Sequence, residues 1–268
     1  MRVALFQGPE DSDAVEANLE SIADAARSAA SRGADLLVCP ELATTGYNIG
    51  ARTHVLAEPA DGPLARRMAA LATRHGLAIG YGYPERAAEG IYNAVQVVGA
   101  DGERLANYRK AHLYGELDRS RFLPGQTGIV RFGLGGVSIG LLTCYDVEFP
   151  EAVRAHAVAG TELLVVPTGL MVPFGAVSDR MVPVRAVESQ LFIAYANRCG
   201  REGELTYCGA SCVVGPDGAD LARAGAHEEL LLADVDPAVL TASRLANPYL
   251  ADRRPDLYRY DTSTENRT

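Results

Sequence analysis

Short apolar runs alternate along this chain with segments whose apolar residues recur every third or fourth position, the pattern of strands interleaved with helices. Arg2–Gln7 reads as the first strand. Val15–Arg32 follows as a helix, with Val15, Leu19, Ile22, Ala26 and Ala30 at helical spacing and Gly33 as its stop. Asp35–Cys39 is a buried strand that ends at Pro40, and Pro63–His75 is a second helix closed by Gly76. Leu77–Gly82 and Tyr92–Val98 are strands, and the turn Ala100-Asp101-Gly102 returns the chain as Glu103–Tyr108 to make a hairpin.

The second half repeats the style. Ile129–Phe132 and Val137–Thr143 read as strands around Gly135-Gly136, and Pro150–Ala159 as a helix with proline in its first turn. Glu162–Val166 is a strand stopped by Pro167. The next helix ends near Gln190 and either starts or kinks at Pro183. Leu191–Ala196, Gly209–Val214 and Leu230–Val235 complete the strands, with a hairpin turn at Asp217-Gly218. Parallel strand–helix–strand units mixed with hairpins predict an α/β fold with mixed sheets. So many strands fit two sheets packed face to face with helices outside. No linker or low-complexity segment divides the chain, so residues 1–268 read as one domain, with a polar and loose tail from Thr262.

Composition narrows the function. The chain is 48% hydrophobic and 22% charged, as in an ordinary soluble enzyme. Its net charge of -9, with no long basic run, argues against a nucleic-acid partner. No stretch nears ~18 uninterrupted apolar residues, so no membrane-spanning helix is expected. The N-terminus lacks a signal-peptide layout. The five cysteines, Cys39, Cys144, Cys199, Cys208 and Cys212, fit neither a disulfide framework nor a metal site. A reduced, cytoplasmic protein is expected.

Cys144 stands where an apolar strand stops, in Leu141-Leu142-Thr143-Cys144-Tyr145-Asp146. Sheets of this kind place their chemistry at the carboxyl ends of strands. A thiol nucleophile needs a proton acceptor and a nearby positive charge. His75 and His156 fall on helices that read as outward-facing, and His54 and His227 on loop-like segments. A cysteine–histidine pair therefore has only His112 to draw on. Glu41 and Lys110 offer another route, since each also follows a strand. Together the three strand ends supply a carboxylate base, a cation and a thiol.

These residues carry a resemblance. Cys39-Pro40-Glu41-Leu42, Tyr108-Arg109-Lys110-Ala111-His112-Leu113 and Thr143-Cys144-Tyr145-Asp146-Val147-Glu148-Phe149-Pro150-Glu151 resemble, in order and spacing, the three signature segments of the nitrilase, or carbon–nitrogen hydrolase, superfamily. The resemblance runs from Arg2 to about Tyr258. It implies a four-layer α-β-β-α sandwich that forms a homodimer or higher homo-oligomer. It implies Cys144 as nucleophile, Glu41 as general base and Lys110 as the cation supporting the tetrahedral intermediate. Glu116 stands for a second glutamate that positions substrate or water, and the Tyr145 N–H completes the oxyanion hole. No cofactor or metal is implied. Each residue alone has an ordinary structural explanation; the joint pattern favours catalysis. The other four cysteines read as small core residues.

Further segments, among them Thr45-Gly46-Tyr47-Asn48 and Ala196-Asn197-Arg198-Cys199-Gly200, resemble the aliphatic amidase branch. That implies hydrolysis of a small aliphatic carboxamide, including ω-amino amides such as 5-aminopentanamide. A nitrilase proper, converting a nitrile to the acid, shares the triad, and R-stereoselective amidases acting on bulkier amides also look similar. Expected substrate contacts are Tyr47, Tyr145, Glu148, Thr168, Leu170 and Met171. Glu148 stands where many members of the superfamily carry arginine. With Asp146 and Glu116 it would make an acidic pocket for a cationic amine, or it pairs with Arg109 or Arg185. Leu170 adds apolar wall.

Overall fold

The computed structural model describes residues 1–10 and 14–258; the tail expected from Thr262 lies outside them. Strands follow in the order β1 (Arg2–Gln7), β2 (Leu36–Val38), β3 (Ala78–Arg86), β4 (Ile91–Val98), β5 (Arg104–Arg109), β6 (Val130–Leu134) and β7 (Val137–Leu141). Then come β8 (Leu163–Pro167), β9 (Phe192–Ala196), a small pair β10 (Arg201–Glu202) and β11 (Leu205–Thr206), β12 (Cys212–Val214), β13 (Asp220–Arg223) and β14 (Glu229–Asp234). The helices are α1 (Val15–Ser31), α2 (Arg52–Leu56), α3 (Pro63–His75), α4 (Gly115–Arg119), α5 (Pro150–Val158), α6 (Val182–Ser189) and α7 (Pro237–Ala246).

Two six-stranded sheets result, ordered β14-β1-β2-β3-β4-β5 and β13-β12-β9-β8-β7-β6. Each is mixed: β1-β2-β3 and β7-β8-β9 are parallel, and the flanking strands pair antiparallel. Alternation along the strands sorts the residues. Val3, Leu5, Leu36 and Val38 face the second sheet and pack with Ile139, Leu141, Val165 and Ala194. Ala4, Phe6, Leu37 and Cys39 face outward onto Leu19, Ile22 and Ala26 of α1 and Met68 of α3. Each large side chain buried this way contributes on the order of 2 kcal/mol. On the other outer face α5 and α6 bring Val153, Ala157, Val182 and Ala186 against the second sheet. This is the four-layer α-β-β-α sandwich. No helix among the described residues is long and apolar enough to cross a membrane.

The expected long helices and most expected strands stand close to their expected bounds, but β3 runs on to Arg86, four residues past the expected end at Gly82. The Pro183 question does not resolve as a start: the chain is already helical through a π-type segment at Val177–Met181, which runs without a break into α6, and the proline sits just past this change of winding. Gly209–Val214 shortens to the three residues of β12. The short α2 takes His54 out of its expected loop, and α7 was not foreseen, although Asp236 caps it by accepting from the Ala238 N–H at 2.9 Å ahead of Pro237. His156 is a correction. It faces inward and is fully buried, because Gly140 beneath it lacks a Cβ; one placed there would lie 2.4 Å from His156 Nδ1. Cys208 is half-exposed, unlike Cys39, Cys199 and Cys212, which are core residues as expected.

Candidate active site

Two strand ends meet between the sheets. β2 stops at Pro40, which has no N–H to continue a ladder, and Glu41 follows. The next residue, Leu42, takes the left-handed conformation at φ +48°. The turn is clamped from both sides: Glu41 N–H donates to the Thr168 carbonyl at 3.3 Å, and Arg198 Nη1 donates to the Glu41 carbonyl at 3.3 Å. β3 passes so close that a Cβ on Gly82 would sit 2.3 Å from Leu42 N. Here the glycine is a matter of space.

The Glu41 carboxylate is fully buried. Its Oε1 accepts from Lys110 Nζ at 2.7 Å and from Asn93 Nδ2 on β4 at 2.6 Å. Its Oε2 has no hydrogen-bond partner among the described residues. Lys110, just beyond β5, is equally buried and also donates to Asp118 Oδ2 at 2.7 Å. Asp118 in turn accepts from Tyr47 Oη at 2.9 Å and from the Tyr114 N–H at 2.9 Å. Burial pushes the Glu41 carboxyl above its ordinary value, against the pull of Lys110. Burial also works against the Lys110 charge, but Glu41 and Asp118 outweigh it and hold the ammonium protonated.

Cys144 opens a 3-10 turn (Cys144–Glu148) beyond β7 and has φ +47°, rare for a residue with a side chain. Its thiol lines a cavity of about 110 Å³. Burial, then the Glu41 charge, pushes the thiol well above its ordinary value, with Lys110 opposing. The resting sulfur is therefore a neutral thiol that needs a base to become a nucleophile. Gly169 forms part of the cavity wall, and a Cβ there would lie 3.2 Å from Glu41 Oε2. The unpartnered carboxylate oxygen thus stands directly behind that wall.

Tyr47, Tyr145, Glu148, Leu170 and Met171 line the cavity, as expected, and are joined by Tyr114, Phe174 and Val177. The rings of Tyr114 and Tyr145 meet edge-on at 5.4 Å. The Glu148 carboxyl is half-buried and raised by burial, with Lys110 and Arg185 pulling the other way. Neither expected arginine takes it in a salt bridge. Arg185 spends its donors on the Val147 and Glu148 carbonyls and on Glu188, and Arg109 pairs with Glu85.

Three expected placements are corrected. Thr168 is fully buried behind the wall, its hydroxyl donating to the Val166 carbonyl at 3.1 Å. Asp146 is buried and engaged elsewhere, so it adds nothing to an acidic pocket. Glu116 is exposed on α4, away from Lys110, and the carboxylate that reaches the lysine is Asp118. Two residues apart on a helix are about 200° apart in direction, so only one of the pair can turn inward. Sequence reasoning missed Asp118, Asn93, Tyr114 and Phe174. For Asp118 the signal was available, since α4 could bury just one of its two acids.

A family model described as carbon-nitrogen hydrolase matches residues 2–245. The chain is 48% identical over 260 residues to a protein of Pseudomonas protegens named "Hydrolase in pqqF 5'region", covering 96% of this chain and 90% of that one. It is 37% identical over 224 residues to an (R)-stereoselective amidase of Pseudomonas sp, covering 82% and 80%. Among solved structures, a cysteine-to-alanine variant of the amidase from Nesterenkonia sp. AN1, in complex with butyramide, superposes with a TM-score of 0.86 at 37% identity, covering 97% of this chain and 96% of that one.

Proposed function

The chain belongs to the carbon–nitrogen hydrolase family, and on that premise we propose that it is an amidase releasing ammonia from a small aliphatic carboxamide through a Cys144 thioester. The observation that carries this reading is the Glu41 carboxylate, with one oxygen held by Lys110 and Asn93 and the other unpartnered behind the cavity wall that Cys144 shares. Glu41 takes the thiol proton as the sulfur attacks the amide carbon. Lys110 Nζ and the Tyr145 N–H stabilise the oxyanion. Glu41 returns the proton to the departing ammonia, then activates the water that hydrolyses the thioester. Asp118 takes the place expected for Glu116, holding Lys110 from the far side.

The cavity is small, at about 110 Å³. That suits a short acyl chain, and the relative solved with butyramide supports the same size class. Glu148 refines the reading. A half-buried carboxylate beside aromatic rings, with no salt-bridge partner among the described residues, favours a substrate with a cationic end, such as 5-aminopentanamide. The test is ammonia release from butyramide, hexanamide and 5-aminopentanamide, run beside the matched nitriles. Amide turnover with a preference for 5-aminopentanamide over the isosteric hexanamide is expected, falling by about tenfold in Glu148→Gln. Turnover of nitriles alone would reverse the amidase reading. An unchanged preference in Glu148→Gln would remove only the ω-amino refinement.

The same proposal places the protein in the cytoplasm, in keeping with five free thiols. It also makes the protein a homodimer or higher homo-oligomer. The exposed Val158 on α5 and Val184 on α6 support a second copy against those outer helices; sedimentation velocity decides it.

A further inference from the structure

One carboxylate outside the cavity ties the nucleophile to its cation. Asp146 is fully buried and does not line the cavity, so it touches no substrate. Its Oδ2 accepts from the Thr143 N–H at 3.1 Å and from Tyr108 Oη at 2.8 Å. Its Oδ1 accepts from the His112 N–H at 2.8 Å and from the His112 ring at 2.7 Å. Because an ionised carboxylate only accepts, the ring donates through Nδ1–H.

The partners explain the arrangement. Thr143 directly precedes Cys144, while Tyr108 and His112 stand two residues on either side of Lys110. The carboxylate therefore grips both flanks of the lysine, at the edge of the first sheet, and the entry to the nucleophile turn in the second. That turn holds Cys144 at φ +47°, a conformation a side-chain-bearing residue keeps only when its surroundings impose it. The His112 ring lies flat on Phe149 at 3.9 Å between centroids, which fixes its direction, yet its side chain is 39% exposed. It can be replaced without opening the core.

Resting on the amidase reading above, we propose that His112 and Asp146 form a positioning pair, setting the Cys144 turn against Lys110 so that sulfur and ammonium converge on one carbonyl. The pair orients and does not transfer protons. Displacements of about 1 Å at reacting groups cost up to ~100-fold in rate. His112→Ala is expected to lower kcat by about 10- to 100-fold, to leave KM within about twofold, and to slow alkylation of Cys144 by iodoacetamide. His112→Asn, whose amide can reproduce the Nδ1–H donor, is expected to recover most of kcat. Asp146→Asn is expected to lose more, since an amide NH₂ would then face the donors the carboxylate now accepts. Because that variant can fail to fold, the His112 pair carries the test, with thermal melting as a control.

Wild-type kcat in His112→Ala would overturn the inference. So would a loss confined to melting temperature, or a raised KM with kcat intact. Cys144→Ala separates this from the underlying reading: if that variant stays active, the thioester mechanism fails. If it is dead while His112→Ala is unimpaired, only the positioning role falls.

Discussion

The two turns that present Glu41 and Cys144 are built on one plan and held in opposite ways. Each follows a strand with a parallel neighbour, β2 inside its sheet or β7 next to the edge strand β6, and each contains a left-handed residue, Leu42 at φ +48° or Cys144 at φ +47°. In the first turn the side chain is immobilised: Glu41 is locked by Lys110 and Asn93 with one oxygen left over. In the second the backbone is immobilised, through Thr143 and Asp146, and the thiol is left facing the cavity. The difference follows from charge. A buried carboxylate must be paired where it stands, whereas a neutral thiol can be buried without partners at little cost.

That contrast breaks most sharply at the sulfur. Cys144→Ala is expected to lower amide turnover by at least ~10⁴-fold while leaving the melting temperature nearly unchanged, as read by ammonia release and calorimetry. Charge on the first turn is different. Lys110→Met leaves Glu41 and Asp118 as two buried carboxylates that share no cation, so it should abolish turnover and also cost about 3–5 kcal/mol of stability in denaturant titration. A variant as stable as the wild type would mean the first turn does not depend on its ion pair.

The smallest effect concerns the support beneath the second turn. His156 packs on Gly140 of β7, and burial lowers its pKa to about 4 from the ordinary 6.5. The folded state thus binds this proton less readily than the unfolded one. Its contribution is fully present above pH 6.5 and is lost as pH falls toward about 4, for a total of about 3 kcal/mol. His156→Gln should flatten that part of the stability curve; an equally steep acid loss in the variant would assign it to other groups.

Much of this was readable in the order of residues. Short apolar runs and glycine or proline stops placed β1 and β2 and the helices α1, α3 and α5 within about a residue, while β3 runs four residues past its expected end at Gly82. Three strand-end motifs in order picked out Glu41, Lys110 and Cys144, and the structure brings those residues together. Local patterning failed where neighbours in space decide the outcome. His156 looked like a surface residue because its partner, Gly140, is remote in sequence and contributes only missing volume. Thr168 looked like a pocket residue because it follows β8, yet the backbone turns it behind the wall to meet Glu41.

The division is clearest on α4. The alternation of apolar and polar positions was enough to specify two mixed sheets and the strand ends where Glu41, Lys110 and Cys144 stand, because those depend on burial along each segment. Which of Glu116 and Asp118 reaches Lys110, and whether Glu148 meets an arginine or the cavity, depends on the direction each side chain takes once the sheets have closed. Packing alone sets those directions, and there Asp118 turns inward to the lysine while the arginine nearest Glu148 binds its carbonyl, not its carboxylate.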